Sequence, residues 1–154
     1  MTRYAGGSAF GQAEVEALHL SNLMHISISL FSGNEKLRFV SARNAISISP
    51  FAFYNCPNLQ AVELHSVSRM IKDDDIDGYL FEGCEKLVSL ELPAMSSLDN
   101  FVKDTFARSS IKDLYLPGIS TNAYAKAWAD HVTLPSGCTI HFGDGDIVYP
   151  GLVE

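Results

Sequence analysis

The feature that most constrains this chain is an internal repeat anchored on phenylalanine. Counting from Phe53, apolar residues follow at +6, +9 and +11 as Leu59, Val62 and Leu64. The same offsets from Phe81 give Leu87, Leu90 and Leu92, and from Phe31 they give Leu37, Val40 and Ala42. Phe106 begins a version one residue shorter, with Ile111, Leu114 and Leu116, and Phe10 begins another with Val15, Leu18 and Leu20. Ile26, Ile48, Ile76 and Phe101 each precede an anchor by five positions. The anchors are spaced 21, 22, 28 and 25 residues apart. A unit this short cannot bury its apolar face alone, so the repeats must stack, Phe over Phe and Leu over Leu, into one continuous core. The end of each unit alternates apolar and polar residues, as a short half-buried strand does. The pattern predicts five stacked repeats over residues 10–117, with one short strand each, paired in parallel along one face.

The spacings lie within or close to the leucine-rich-repeat range of about 20–29 residues, and the L-x-x-L-x-L core fits as well. Phe53-Tyr-Asn-Cys-Pro-Asn-Leu59-Gln-Ala-Val-Glu-Leu64 and Phe81-Glu-Gly-Cys-Glu-Lys-Leu87-Val-Ser-Leu-Glu-Leu-Pro93 resemble the A-F-x-x-C-x-x-L-x-x-L-x-L-P repeat of BspA-type leucine-rich proteins. The resemblance covers roughly residues 10–117. The first and last repeats lack the Cys, and the 28-residue repeat carries an acidic insertion. It implies a leucine-rich-repeat solenoid, α/β or mainly β, that binds or adheres to a protein or glycan, and it brings no catalytic residues with it. For Cys56 and Cys84, which share the +3 slot, in-register stacking would permit a disulfide. The family pattern implies buried, reduced thiols instead. Asn34 and Ser109 in the same slot fit a site for small residues.

After Pro117 the pattern stops, and residues 118–154 read as a capping segment of a single domain spanning 1–154. Thr121 or Asn122 can cap a short helix containing Ala123, Tyr124, Ala127 and Trp128. Thr139–Phe142 and Ile147–Tyr149 read as a β-hairpin around an Asp-Gly turn. This segment also resembles the closing part of leucine-rich-repeat proteins from gut bacteria and their phages, which implies a cell-surface or virion location. Met1–Phe10 has no apolar run of the kind a secretory signal requires.

Composition excludes several classes. The net charge is −7, and an acidic surface repels phosphate backbones, so nucleic acid is not an expected partner. No window approaches the roughly 18 consecutive apolar residues of a membrane span. There is no Cys-x-x-Cys for zinc or redox chemistry, no His-Glu-x-x-His, and no phosphate-binding glycine loop. Phe10 stands where a nucleophile elbow around Ser8 needs its second glycine. No cofactor, metal or catalytic residue is therefore expected. The five histidines, 19, 25, 65, 131 and 141, form no ligand pair and are expected at the surface.

The candidate ligand-binding residues are those that point outward from the strands. One column reads Ala17, Phe39, Ala61, Ser89 and Asp113, and the next His19, Ser41, Glu63, Glu91 and Tyr115. Phe39 and Tyr115 are aromatic where solvent is expected, and such anchors often mark contacts. Glu63 and Glu91 occupy equivalent positions in successive repeats, and at a strand spacing of about 4.8 Å they would lie close together. A retaining glycosidase uses two carboxylates about 5–5.5 Å apart, but a flat ribbon provides no pocket, so solvated like charges are the favoured reading. The acidic runs Lys72–Asp77 and Gly143–Asp146 raise the question of a cation, and a solvated loop and a hairpin turn answer it more simply. Two functions are compatible with this pattern: a non-enzymatic binding or adhesion module using the sheet face, or a structural subunit of a larger assembly such as a phage tail. The second is motivated by the nine residues ahead of Phe10, too few for a polar cap, which leave the first repeat to rest on another copy or chain.

Overall fold

The computed structural model describes residues 9–71, 79–99 and 101–149. The chain is a stack of about five solenoid turns whose strands run in parallel. Its principal strands are Ala17–His19 (β1), Phe39–Ser41 (β3), Ala61–Glu63 (β5), Ser89–Glu91 (β7) and Asp113–Leu116 (β8). The first three repeats add a second short strand: His25–Ile26 (β2), Ser47–Ile48 (β4) and Arg69–Met70 (β6). The helix Ala123–His131 (α1) and the strands Thr139–Phe142 (β9) and Gly145–Val148 (β10) close the chain.

The phenylalanine column forms as predicted. Ring centroids of Phe10, Phe31, Phe53, Phe81 and Phe106 succeed one another at 5.6, 4.9, 5.3 and 6.1 Å, all in stacked orientation. The four inner rings are fully buried and Phe10 is half-buried. The backbone beside the rings forms its own ladder, with Phe31 N donating to Ala52 O, Phe53 N to Leu80 O and Phe81 N to Thr105 O. Two residues after each of the four inner rings the chain turns with positive φ, and Gly33, Asn55, Gly83 and Arg108 take that conformation. Glycine enters it freely and asparagine with little penalty; Arg108 is the departure.

The +3 slot is more than a place for small residues. Asn34 Nδ2 donates to Phe10 O, Cys56 Sγ to Phe31 O at 3.1 Å, and Cys84 Sγ to Phe53 O at 3.1 Å. Each side chain donates to the carbonyl of the preceding anchor, adding to the backbone bonds that Ala13 N and Asn34 N give Phe10 O and Phe31 O. All three cysteines are free and buried. Desolvation pushes the Cys56 thiol up to about 11 and raises Cys84 further.

Three sequence expectations need correction. One strand per repeat is too few, because β2, β4 and β6 form a second parallel sheet. Its third rung is Met70, in register with Ile48, and not Ile76, which lies outside the described residues. The extra residues of the 28-residue repeat therefore fall between Met70 and Phe81. The main ladder is also not continuous: β1-β3-β5 form one sheet and β7-β8-β9-β10 another, with no strand pairing from β5 to β7 among the described residues. The acidic run 73–77, considered as a cation loop, lies outside the described residues.

In the closing segment Asn122 caps α1 by accepting from Ala125 N at 2.9 Å. Trp128 of α1 packs edge-on against Phe101, which in turn contacts Phe106, so the helix covers the end of the aromatic column. The hairpin of β9 and β10 forms, with β10 starting at Gly145 rather than Ile147. β9 also pairs in parallel with β8, Ile140 beside Leu114 and Phe142 beside Leu116, and so adds a further rung to the sheet.

Candidate functional site

The outward columns fall into two clusters, one on each sheet. On β1-β3-β5, Phe39 is half-buried and His19 leans on it with centroids 5.3 Å apart. Around them Glu16, Ala17, Arg38, Gln60 and Ala61 border a shallow, open depression of about 330 Å³. Glu63, on the same sheet, is not a free carboxylate. Arg43 grips it through Nε and Nη2, both at 2.7 Å, and Ser41 Oγ donates to it at 2.6 Å. These donors, Arg43 first, hold the Glu63 carboxyl down at about 2. Pairing of this bidentate kind fixes geometry as well as charge. Ser41, read from the sequence as outward-facing, is buried beneath this pair.

On β7-β8-β9, Glu91 is exposed and in register with Tyr115, which is 38% exposed. Tyr115 is in register in turn with His141, and their rings stack at 4.3 Å with only 11° between planes. His141 Nε2 lies 2.9 Å from Asp113 Oδ1, and Nδ1 lies 3.1 Å from Asp146 Oδ1. A neutral imidazole carries one N–H; only the cation can donate to both carboxylates at once. Hydrogen bonding to Asp113, with a further contribution from Asp146, accordingly raises the pKa of His141, against an opposing effect of burial. Sequence reasoning passed over this histidine. The available signal was the alternation of Thr139–Phe142, which places His141 in the column of Glu91 and Tyr115 once Ile140 is aligned with Leu114.

The four outward residues singled out in the sequence are thus divided between the sheets: Phe39 and Glu63 on one, Glu91 and Tyr115 on the other. β5 and β7 lie beside each other without ladder pairing among the described residues, and Glu63 on β5 is already paired with Arg43. In the Gly143–Asp146 turn, Asp144 accepts from Thr121 N and Oγ1 at 2.6 and 2.9 Å, while Asp146 faces His141. Among the described residues no three His, Cys, Asp or Glu side chains converge as a metal site would require. Ion pairs also link neighbouring turns, Arg38 with Glu16 and Arg108 with Glu82, at 3.5 and 2.9 Å. No helix among the described residues is long and apolar enough to cross a membrane.

No curated protein matches the chain, and no solved structure does. The model of the BspA type leucine-rich repeat region does match, in six copies over residues 3–135, one copy more than the phenylalanine anchors suggest. Repeats of this type commonly serve protein interaction or adhesion, are typically surface-associated and are typically non-enzymatic. With most of its length matched, and with the stacked phenylalanines and buried cysteines of the repeat in place, the chain belongs to the BspA-type leucine-rich-repeat family.

Proposed function

We propose that this chain is a non-enzymatic binding module that engages a protein partner through the outward face of its two main sheets. The observation that supports this most directly is the pair of aromatic anchors on that face. Phe39 with His19 and Tyr115 with His141 stand out from strands whose alternate residues pack against the core. Broad, shallow faces with aromatic anchors and charged rims suit protein partners better than small ligands, which need enclosure. Glu91 supplies an exposed negative charge next to Tyr115 and favours a basic patch on the partner, whereas Glu63 acts by fixing Arg43.

The test is a protein and glycan array screen followed by alanine variants against the protein it identifies. Phe39→Ala and Tyr115→Ala should each weaken binding by about tenfold or more, as interface anchors do. Glu91→Ala should matter less, and its share should fade with salt. If Phe39, Glu63, Glu91 and Tyr115 variants all fold and bind like the parent, the face is not the site.

A second reading, a subunit of a larger assembly, draws on one observation. Phe10, Leu18, Leu20 and Leu23 of the first repeat are only half-buried, unlike most of their counterparts in later repeats. A defined oligomer in size-exclusion chromatography with light scattering would favour this reading, and a monomer would favour the free-standing binder.

A further inference from the structure

The irregular spacing of the repeats opens a second concave surface, on the flank of the solenoid. The sheet β2-β4-β6 ends at β6. In the next repeat the chain turns after Leu92 as its predecessors do, with Met95 N donating to Leu92 O. Ser96–Asp99 then form no strand beside β6. Asp99 N donates instead to Ser97 Oγ at 3.1 Å, a local bond of the kind that competes with sheet ladders. Two adjoining clefts result, of about 270 and about 320 Å³, sharing Ser96, Ser97 and Asp99. One runs along β6 and the other reaches the first turn of α1.

The lining has an apolar floor and a polar rim. Met70 and Met95 lie under the first cleft and Leu98 and Ile119 under the second, all buried. Tyr124 stands at the edge with 54% exposure, and its hydroxyl donates to Asp99 Oδ1 at 2.8 Å. Hydrogen bonds from Ser97 and then Tyr124 hold Asp99 below the usual carboxylate range. Asp99 is thus a fixed, ionised acceptor in the wall common to both clefts, with lone pairs to spare. Asn122 uses its side-chain oxygen to cap α1, which leaves its amide N–H groups as donors, and Arg69 adds a cationic donor on the β6 side.

We infer that this double cleft binds a neutral carbohydrate. A sugar ring has an apolar C–H face, which suits an exposed tyrosine, and adjacent hydroxyls, which suit an immobilised carboxylate flanked by amide and guanidinium donors. The larger cleft, about 320 Å³, reaches the lower end of small-ligand sites, about 300–1,000 Å³, and the smaller adjoins it. An anionic ligand would meet Asp99, and a cation would find no second carboxylate among the described residues of the lining. A peptide strand would have only the two residues of β6 to pair with, too short an edge for β-addition. The site is separate from the sheet face, so it stands or falls independently of the protein partner proposed for that face.

The experiment is a ¹⁵N–¹H NMR titration of the full chain with maltotriose, cellotriose, mannotriose and chitotriose. At least one should shift the amides of Ser96–Asp99 and Ser120–Ala125 while leaving Phe39 and Tyr115 in place. Asp99→Asn and Tyr124→Ala should each weaken that sugar by about tenfold or more, since loss of a hydrogen bond to a charged group or of an aromatic contact is of that order. Tyr124 is exposed, so its variant keeps the parental melting temperature and carries the test even if Asp99→Asn disturbs the turn. The proposal is overturned if none of the four sugars moves these amides, if the shifts map to the sheet face, if a peptide strand occupies the cleft instead, or if the Tyr124→Ala variant binds like the parent.

Discussion

Truncation of the phenylalanine column should show a gradient along the solenoid. Phe81 is 0% exposed and stacked on both sides, by Phe53 at 5.3 Å and Phe106 at 6.1 Å. Phe81→Ala removes a large ring from a site whose neighbours are held by their own ladders and cannot collapse into the space. The cost should be about 3–5 kcal/mol, as for other core aromatics. With an unfolding entropy near 2.1 cal/mol/K per residue, a loss of about 4 kcal/mol in a chain of 154 residues lowers the melting temperature by roughly 12 °C. Phe10 is half-buried and stacks on one ring only, at 5.6 Å. Phe10→Ala should cost about 1–2 kcal/mol, in proportion to the smaller area withdrawn from water. Urea unfolding monitored by circular dichroism measures both, with equal m-values as the check that the same unit unfolds. A loss below about 1 kcal/mol at Phe81 would refute the stacked column as a source of stability, since no enclosed aromatic should be dispensed with so easily. Equal losses at the two sites would mean that the N-terminal ring is as enclosed as the central one, and that another surface covers it in solution.

Other contacts lead to outcomes as definite. The pKa of His141 is raised in the fold by Asp113 and Asp146, so its pairing stabilises fully below the free imidazole value of about 6.5 and is lost as pH rises through the folded value; the melting temperature of the parent relative to His141→Gln should fall across that window by an amount worth at most about 1 kcal/mol, because the partners are solvent-exposed. A flat difference across pH would show that the two contacts do not form together. Gly143→Ala should destabilise by about 1–3 kcal/mol, because the new Cβ would lie 2.4 Å from Pro117 O, a backbone atom that cannot swing aside; thermal unfolding checks this, and a neutral result would mean that the turn can shift. Cys56 and Cys84 should resist thiol reagents in the native protein and react on unfolding, since both are buried and their pKa values are raised; rapid labelling of either without denaturant would contradict the packed ladder.

Particular residues show which features are legible in the sequence. The Phe and Leu columns are, because their spacing alone decides which side chains face the core, whatever the backbone does between them. The +3 slot is legible as a position but not as a role. Asn34, Cys56 and Cys84 share a donor aimed at the carbonyl of the preceding ring, and that partner is visible only in three dimensions. Counting back five from Phe81 lands on Ile76, because the count crosses an insertion; the register of Met70 with Ile48 depends on pairing with the previous turn. For β9 the Asp-Gly turn reveals one neighbour, β10, and conceals the other, β8, so the Tyr115–His141 stack could not be foreseen.

These failures have a common physical origin. A regular period of about 22 residues would let every strand meet its counterpart, giving two unbroken sheets and an even outer face. The 28-residue interval between Phe53 and Phe81 preserves the ring stack at 5.3 Å and 6° but interrupts both sheets at the same point, leaving β5 beside β7 without ladder pairing and β6 without a partner strand in the next repeat among the described residues. Aromatic stacking tolerates the longer excursion because it depends only on where the chain returns, whereas a strand ladder depends on the path between. On the C-terminal side of that break lie the His141 cluster, the Asp99–Tyr124 wall of the double cleft, and the only α-helix among the described residues. In this solenoid the regular repeats supply a scaffold, and individuality arises where the period fails, so a search for ligands is best aimed at the second half of the chain before the first.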